Sequence, residues 1–204
     1  GYITRPTHEN TSWDAYRFEV SAHRWVRLEN TSRSWAIAND ATYGWDVTRH
    51  QSDRRGTWSQ VRATLVKSAR FPDPDQDQGQ HQWNFRIVPD ASVLEAVAAG
   101  QQINLGEREV SGAPVDAPFS VDGAVVESVA LAPDRSGDLV IRLYEAEGGP
   151  SRVTFRAPKA GSVTACDLRY RPSKSEPELR GGQGEWSFDL SAFQITTLRV
   201  SFAK

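Results

Sequence analysis

Apolar and polar residues alternate along most of this chain, and the alternation has a period of two. Tyr16–Val20, Trp83–Ile87, Leu139–Leu143, Val153–Phe155, Trp186–Leu190 and Leu198–Phe202 each place aromatic or aliphatic residues at every second position, with charged or small polar residues between. Side chains point to opposite faces of a strand in turn, so each stretch predicts a strand with one buried face. Clusters of Gly, Pro, Asn and Asp separate the stretches at short intervals, as hairpins require. One segment reads as a helix, Ser92 to Ala99, with Val93, Leu94, Val97 and Ala98 on one side and Gly100 as its C-terminal cap. The predicted class is all-β, built as antiparallel β-sandwiches.

Breaks in the pattern divide the chain in two. Gly106, Gly112, Pro114 and Pro118 mark residues 106–118 as a linker between a first domain, 1–105, and a small terminal sandwich, 119–204. Within the second, the polar run Pro172–Gly184 predicts an exposed hairpin loop. A chain of 204 residues suits two small cores.

Charge then narrows the partners. Lys and Arg number 12 against 12 Asp and Glu in residues 1–105, and 12 against 14 in 106–204. Neither half carries the basic excess of a nucleic-acid binder. No apolar run approaches the roughly 20 residues of a membrane-spanning helix. The lone Cys166 lies in an alternating apolar segment and predicts a buried, inert thiol, with no disulfide framework. The missing signal pattern and disulfides lead to an expected cytoplasmic location. The chain contains no methionine, not even at position 1, which predicts a fragment of a longer protein.

Chemistry concentrates in two places. In Phe71-Pro-Asp-Pro-Asp-Gln-Asp-Gln-Gly-Gln-His81 the carboxylates of Asp73, Asp75 and Asp77 alternate ahead of Gly79 and His81. The spacing is reminiscent of a calcium loop, but Gln78 stands where that loop needs glycine and Asn84 where it needs glutamate. Two readings remain: a polar loop that offers carboxylates, amides and a histidine to a sugar, or a solvated loop stiffened by Pro72 and Pro74. The other place is Arg5–Asp14, where His8 and Glu9, adjacent on an extended chain, point apart and cannot act as a catalytic pair. Asn10-Thr-Ser12 and Asn30-Thr-Ser32 fit the glycosylation sequon, which counts only on a secretory route. Seven tryptophans suit core packing in the main and sugar stacking at some positions. His8, His23, His50 and His81 lack metal-ligand spacing, and the motifs of nucleophile elbows, phosphate loops and dinucleotide sites are absent.

Several segments together resemble the C-terminal region of the family 38 α-mannosidases. Gly1-Tyr-Ile-Thr-Arg-Pro-Thr-His-Glu-Asn-Thr-Ser-Trp-Asp14 and Arg17-Phe-Glu-Val-Ser-Ala-His-Arg-Trp25 are similar to consecutive stretches of that family. Asn39-Asp-Ala-Thr-Tyr-Gly-Trp-Asp46 fits its Asn-Asp-x-x-Tyr-Gly-x-Asp pattern, and Pro72–His81 its Pro-Asp-x-x-x-Asp-x-Gly-x-His loop. Gly137–Ala146 and Phe193–Leu198 resemble its closing strands. The chain departs from the pattern at Asp90, where the family commonly has histidine. The resemblance implies the end of a large mutarotase-like β-sandwich followed by a small β-sandwich. It implies retaining, zinc-assisted hydrolysis of terminal α-mannosides by a longer enzyme, whose nucleophile and zinc ligands belong to an N-terminal catalytic domain. No catalytic or metal residue is therefore expected in this chain, and no activity from it alone. Its expected partners are that catalytic domain and a mannose-containing glycan. Within the loop, Asp77, Gln78 and His81 are the candidates for hydrogen bonds to the sugar. A domain cut from its earlier strands should also expose apolar surface, with homo-oligomerisation as the expected consequence.

Overall fold

The computed structural model describes residues 1–107, 109–113 and 115–202. It contains four sheets, and every strand pairing in them is antiparallel. The chain forms two compact units, Ile3–Glu109 and Gly1–Tyr2 with Val110–Lys204.

The unit Ile3–Glu109 opens with α1 (Ser12–Ala15) and continues through β1 (Val20–Ser21), β2 (Trp25–Glu29), β3 (Ser34–Asn39), β4 (Gly44–Ser52), β5 (Gly56–Ala63), β6 (Phe85–Pro89) and α2 (Val93–Asn104). Its sheets have the orders β1-β4-β5 and β2-β3-β6. The first helical turn of α2 is written locally. Ser92 Oγ accepts from the Glu95 N–H at 3.1 Å, and the Ser92 N–H donates to the Glu95 carboxylate at 2.8 Å, a reciprocal capping box. Gly100 does not end this helix. It lies inside α2 and is buried, and the helix runs on to Asn104 with Leu105 as its cap. A Cβ at position 100 would sit 3.0 Å from Trp25 Cδ1, so glycine is there to let the helix approach β2. Gly100→Leu is expected to cost about 1–3 kcal/mol through overpacking against Trp25. A chemical denaturation midpoint equal to that of the parent sequence would contradict this.

The strand expected over Tyr16–Val20 forms only at Val20–Ser21. Tyr16 and Phe18 are exposed and meet edge to face instead, with ring centroids 6.2 Å apart. The alternation there has no opposing layer to bury it.

The second unit comprises β7 (Ser120–Asp122), β8 (Val125–Leu131), β9 (Leu139–Tyr144), β10 (Ser151–Arg156), β11 (Ala160–Cys166), β12 (Arg180–Gly182), β13 (Glu185–Leu190) and β14 (Ile195–Phe202). Two four-stranded sheets, β12-β13-β10-β7 and β11-β14-β9-β8, enclose one core. Val153 and Phe155 of β10, with Trp186, Phe188 and Leu190 of β13, come from one sheet. Ile141 and Leu143 of β9, with Leu198 and Val200 of β14, come from the other. The registers pair Phe155 with Trp186 and Ile141 with Leu198, so the alternating positions face a common interior. Part of the run expected as a loop, Arg180–Gly182, is itself a strand, joined to β13 by Gln183 and Gly184 at positive φ (53° and 94°). Cys166 is buried, its thiol 3.5 Å from the Thr164 carbonyl, and burial pushes its pKa up.

Candidate functional site

Two segments far apart in sequence meet in the unit Ile3–Glu109. A cleft of about 530 Å³ is bordered by Glu19, Thr42, Tyr43, Gly44, Lys67 and Asp77, among others. Thr42, Tyr43 and Gly44 come from the Asn-Asp-x-x-Tyr-Gly segment, and Asp77 from the Pro-Asp loop.

Local hydrogen bonds build the cleft wall. Asn39 Oδ1 accepts from the Thr42 N–H at 2.9 Å, which turns the chain after β3, and Thr42 Oγ1 donates to the Thr64 carbonyl. Asp40 accepts from the backbone N–H of Asn84 at 3.0 Å and from its side-chain amide at 2.6 Å, so this turn is tied to the chain beyond the loop. Glu19 accepts from the Thr64 hydroxyl and from Lys67 Nζ, the latter at 3.2 Å. The Thr64 hydroxyl, then Lys67, hold the Glu19 carboxyl below its ordinary range. A Cβ at Gly44 would run into this carboxylate, the mobile end of the Glu19 side chain, and lie 3.1 Å from Thr64 Cβ, so a larger residue here would push Glu19 out of its place in the cleft wall. Tyr43 is 59% exposed, and its ring lies 5.3 Å from that of His23.

The loop is folded on itself. Asp73 Oδ1 accepts from the Asp75 N–H at 2.9 Å, and the Gln76 and Gln78 N–H groups donate back to the carbonyls of Asp73 and Asp75. Asp77 then anchors it: one carboxylate oxygen accepts from the Lys67 N–H at 2.9 Å and from the Ser68 N–H at 3.0 Å. The N–H of Lys67, then that of Ser68, hold the Asp77 carboxyl below its ordinary value. His81 Nε2 lies 3.0 Å from the Asp77 carbonyl oxygen, and the His81 ring stacks on Trp83 at 5.4 Å.

Of the three expected contact residues, Asp77 borders the cleft and is held by backbone donors, while Gln78 and His81 are exposed on the same loop. Glu19 and Lys67 were not among the expected residues. Glu19 read as the outward charge of an alternating stretch, and its place in the cleft is set by Thr64 and Lys67, 45 and 48 residues further on. His8 pairs with Asp14 at 3.3 Å rather than with Glu9. Among the described residues, no three His, Cys, Asp or Glu side chains converge on a point where a metal ion could be held. The cleft thus presents ionised carboxylates, an ammonium, hydroxyls and an aromatic ring. Such a set can hydrogen-bond and stack on a polyhydroxylated ligand.

Known proteins place this architecture in one class. Residues 1–75 match the family model described as "Glycosyl hydrolases family 38 C-terminal domain", and residues 123–198 the one described as "Glycosyl hydrolases family 38 C-terminal beta sandwich domain". Both describe C-terminal domains of glycosyl hydrolases, the second of them a β-sandwich. The chain belongs to the C-terminal region of glycosyl hydrolase family 38. It is 34% identical over 214 residues to Alpha-mannosidase 2C1 of Homo sapiens, a match covering 97% of this chain and 19% of that protein. It is 30% identical over 216 residues to Alpha-mannosidase G of Dictyostelium discoideum, covering 98% and 19% respectively. An Alpha-mannosidase of Saccharomyces cerevisiae (strain ATCC 204508 / S288c) is 28% identical over 230 residues, covering 99% and 20%. The chain therefore spans about a fifth of the length of these relatives.

Proposed function

We propose that this chain is the non-catalytic C-terminal β-region of an α-mannosidase, supporting the catalytic domain and lending the loop Asp73–His81 to the sugar site. The observation that carries the reading is a match along 97% of this chain that covers only 19% of a protein named for that activity. The site chemistry agrees. Cleavage of a glycoside with two carboxyl groups needs one of them protonated near neutral pH, which takes a raised pKa. Both carboxyls of the cleft, Glu19 and Asp77, are instead held low and act as acceptors. The zinc of the longer enzyme would have to be held by its catalytic domain. Among the described residues, no cluster of His, Cys, Asp and Glu fits a metal.

In this reading the cleft wall positions rather than cleaves. Asp77 holds the loop, Gln78 and His81 offer an amide and an imidazole to sugar hydroxyls, and Tyr43 offers a ring face. The test is hydrolysis of a chromogenic α-mannoside in the presence of zinc, by this chain and by the full-length protein that contains it. Activity in the full-length protein alone is the expected result. Turnover by the 204-residue chain would overturn it.

The exposed Tyr43 ring beside the cleft favours one other reading, an independent carbohydrate-binding sandwich. Titration of the isolated chain with methyl α-mannoside, followed by calorimetry, separates the two. Saturable binding abolished by Tyr43→Ala would favour the binding module.

A further inference from the structure

Two walls of the cleft are attached to the same short piece of chain. One wall is the turn Thr42–Gly44, which carries the Tyr43 ring. Thr64 is tied to it twice: its N–H donates to the Gly44 carbonyl at 2.9 Å, and its own carbonyl accepts from the Thr42 hydroxyl. The other wall is the loop Asp73–His81. Asp77 ties that loop to the N–H groups of Lys67 and Ser68.

Between the two attachments the chain is irregular. β5 ends at Ala63, and neither helix nor strand follows from Thr64 to Arg70. Leu65 and Val66 border the cleft at 46% and 43% exposure, and among the described residues neither makes a backbone hydrogen bond. Exposed backbone with no ladder and side chains with little packing yield at small cost. This link alone would leave the Asp77 loop free to shift relative to Tyr43.

One side chain spans the link. Glu19, the residue before β1, accepts from the Thr64 hydroxyl with one carboxylate oxygen and from Lys67 Nζ, at 3.2 Å, with the other. The two oxygens of a carboxylate are a fixed distance apart, so together they set the separation of their donors. Lys67 carries the constraint onward, with its ammonium on Glu19 and its backbone N–H on Asp77. The Glu19 and Lys67 side chains are 32% and 65% exposed, and a pair so open to water adds little to folding. Its effect is on geometry.

We propose that Glu19 is a positioning residue of the sugar site: by bridging Thr64 and Lys67 it holds the loop that carries Gln78 and His81 at a set distance from Tyr43. Glu19 acts through that loop and not by contact with the reacting sugar. The inference rests on the reading of the loop Asp73–His81 as a contributor to the sugar site.

Two measurements on the full-length protein test it. Amide hydrogen exchange reads the geometry alone: Glu19→Ala should speed exchange about fivefold in peptides spanning Lys67 and Ser68. Hydrolysis of a chromogenic α-mannoside reads the consequence. Glu19→Ala should lower kcat/KM roughly tenfold with Tm unchanged. Added to Asp77→Ala it should cost no more than about a further twofold, because both substitutions release the same loop. Lys67→Met keeps the backbone N–H and removes only the ammonium, and should reproduce part of each effect. Glu19→Gln keeps an acceptor for Thr64 and should recover part of the activity. Unchanged exchange at 67 and 68 would overturn the proposal, and so would losses of kcat/KM that multiply in the double variant. Full activity in Glu19→Ala beside a damaged Asp77→Ala would overturn it too, and leave the functional reading standing. Faster exchange with both single variants fully active would instead overturn the reading of the loop as part of the sugar site, and with it the role assigned to Glu19.

Discussion

On the proposed function, Asp77→Ala in the full-length protein is expected to lower kcat/KM on an α-mannoside about a hundredfold, with little change in Tm. The carboxylate has two backbone donors, the N–H groups of Lys67 and Ser68, at 2.9 and 3.0 Å. Together they fasten the turn carrying Gln78 and His81 to the chain leaving β5. Without them the loop is free to shift, and misplacing a contact by about 1 Å can cost about 10²-fold in rate. The loop is exposed and contributes nothing to either buried core, so global stability should hardly respond. Asp77→Asn retains a carbonyl oxygen able to accept from both donors, and it should restore most of the activity. His81→Ala should instead raise KM, if its ring meets the sugar. A loss of Tm in Asp77→Ala that matched the loss of activity would reduce Asp77 to a structural residue.

Glu145→Ala should destabilise the second unit by about 3 kcal/mol, the largest effect on folding expected from a polar residue here. Glu145 is 3% exposed, and its carboxylate gathers the N–H groups of Glu147 at 2.6 Å, Gly148 at 2.9 Å and Phe193 at 2.9 Å. It thereby joins the turn after β9 to the turn before β14. Alanine leaves these donors without their acceptor. Burial raises the Glu145 pKa, but the N–H groups of Phe193, Glu147, Gly148 and Gly149 outweigh it and leave the carboxyl below its ordinary value. A carboxyl lowered in the folded state binds its proton more readily when unfolded. Its contribution is complete above the ordinary glutamate range, about pH 4–5, and disappears as pH falls through the folded-state value. Asp134, held at about 2 by Ser136 and then Arg199, has the same sign over a more acidic window. Glu145→Gln should therefore flatten the fall in stability below about pH 5 while costing less than alanine. Denaturant midpoints measured from pH 7 to pH 3 check both claims, and parallel profiles for Glu145→Gln and the unsubstituted chain would contradict the second.

Which parts of this molecule were legible beforehand follows from the range of the forces involved. The strands β9, β10, β13 and β14 were evident because alternation within five or six residues already says which side chains share a face. The segment of α2 was marked by the spacing of Val93, Leu94, Val97 and Ala98, since a helical face repeats within two turns. The same reasoning failed at Gly100, where a glycine suited to a cap was needed for the approach of Trp25, a residue 75 positions away. It failed also at Tyr16 and Phe18, whose alternation was genuine but had nothing to pack against. Glu145 gave no local sign at all, because one of its donors, the Phe193 N–H, comes from 48 residues further on.

The candidate site divides along the same line. Pro-Asp-x-x-x-Asp-x-Gly-x-His and Asn-Asp-x-x-Tyr-Gly could each be read as a separate motif, and with them the α-mannosidase family. That they border one cleft, with Glu19 pressed against Gly44 and Asp77 tied to Lys67, was decided only when the chain folded. Periodicity and capping depend on neighbours a few bonds away, and so the class of fold and its elements are written in the order of residues. A cleft or an open apolar face is created where distant segments approach, or where none arrives, and that depends on the packing of whole layers.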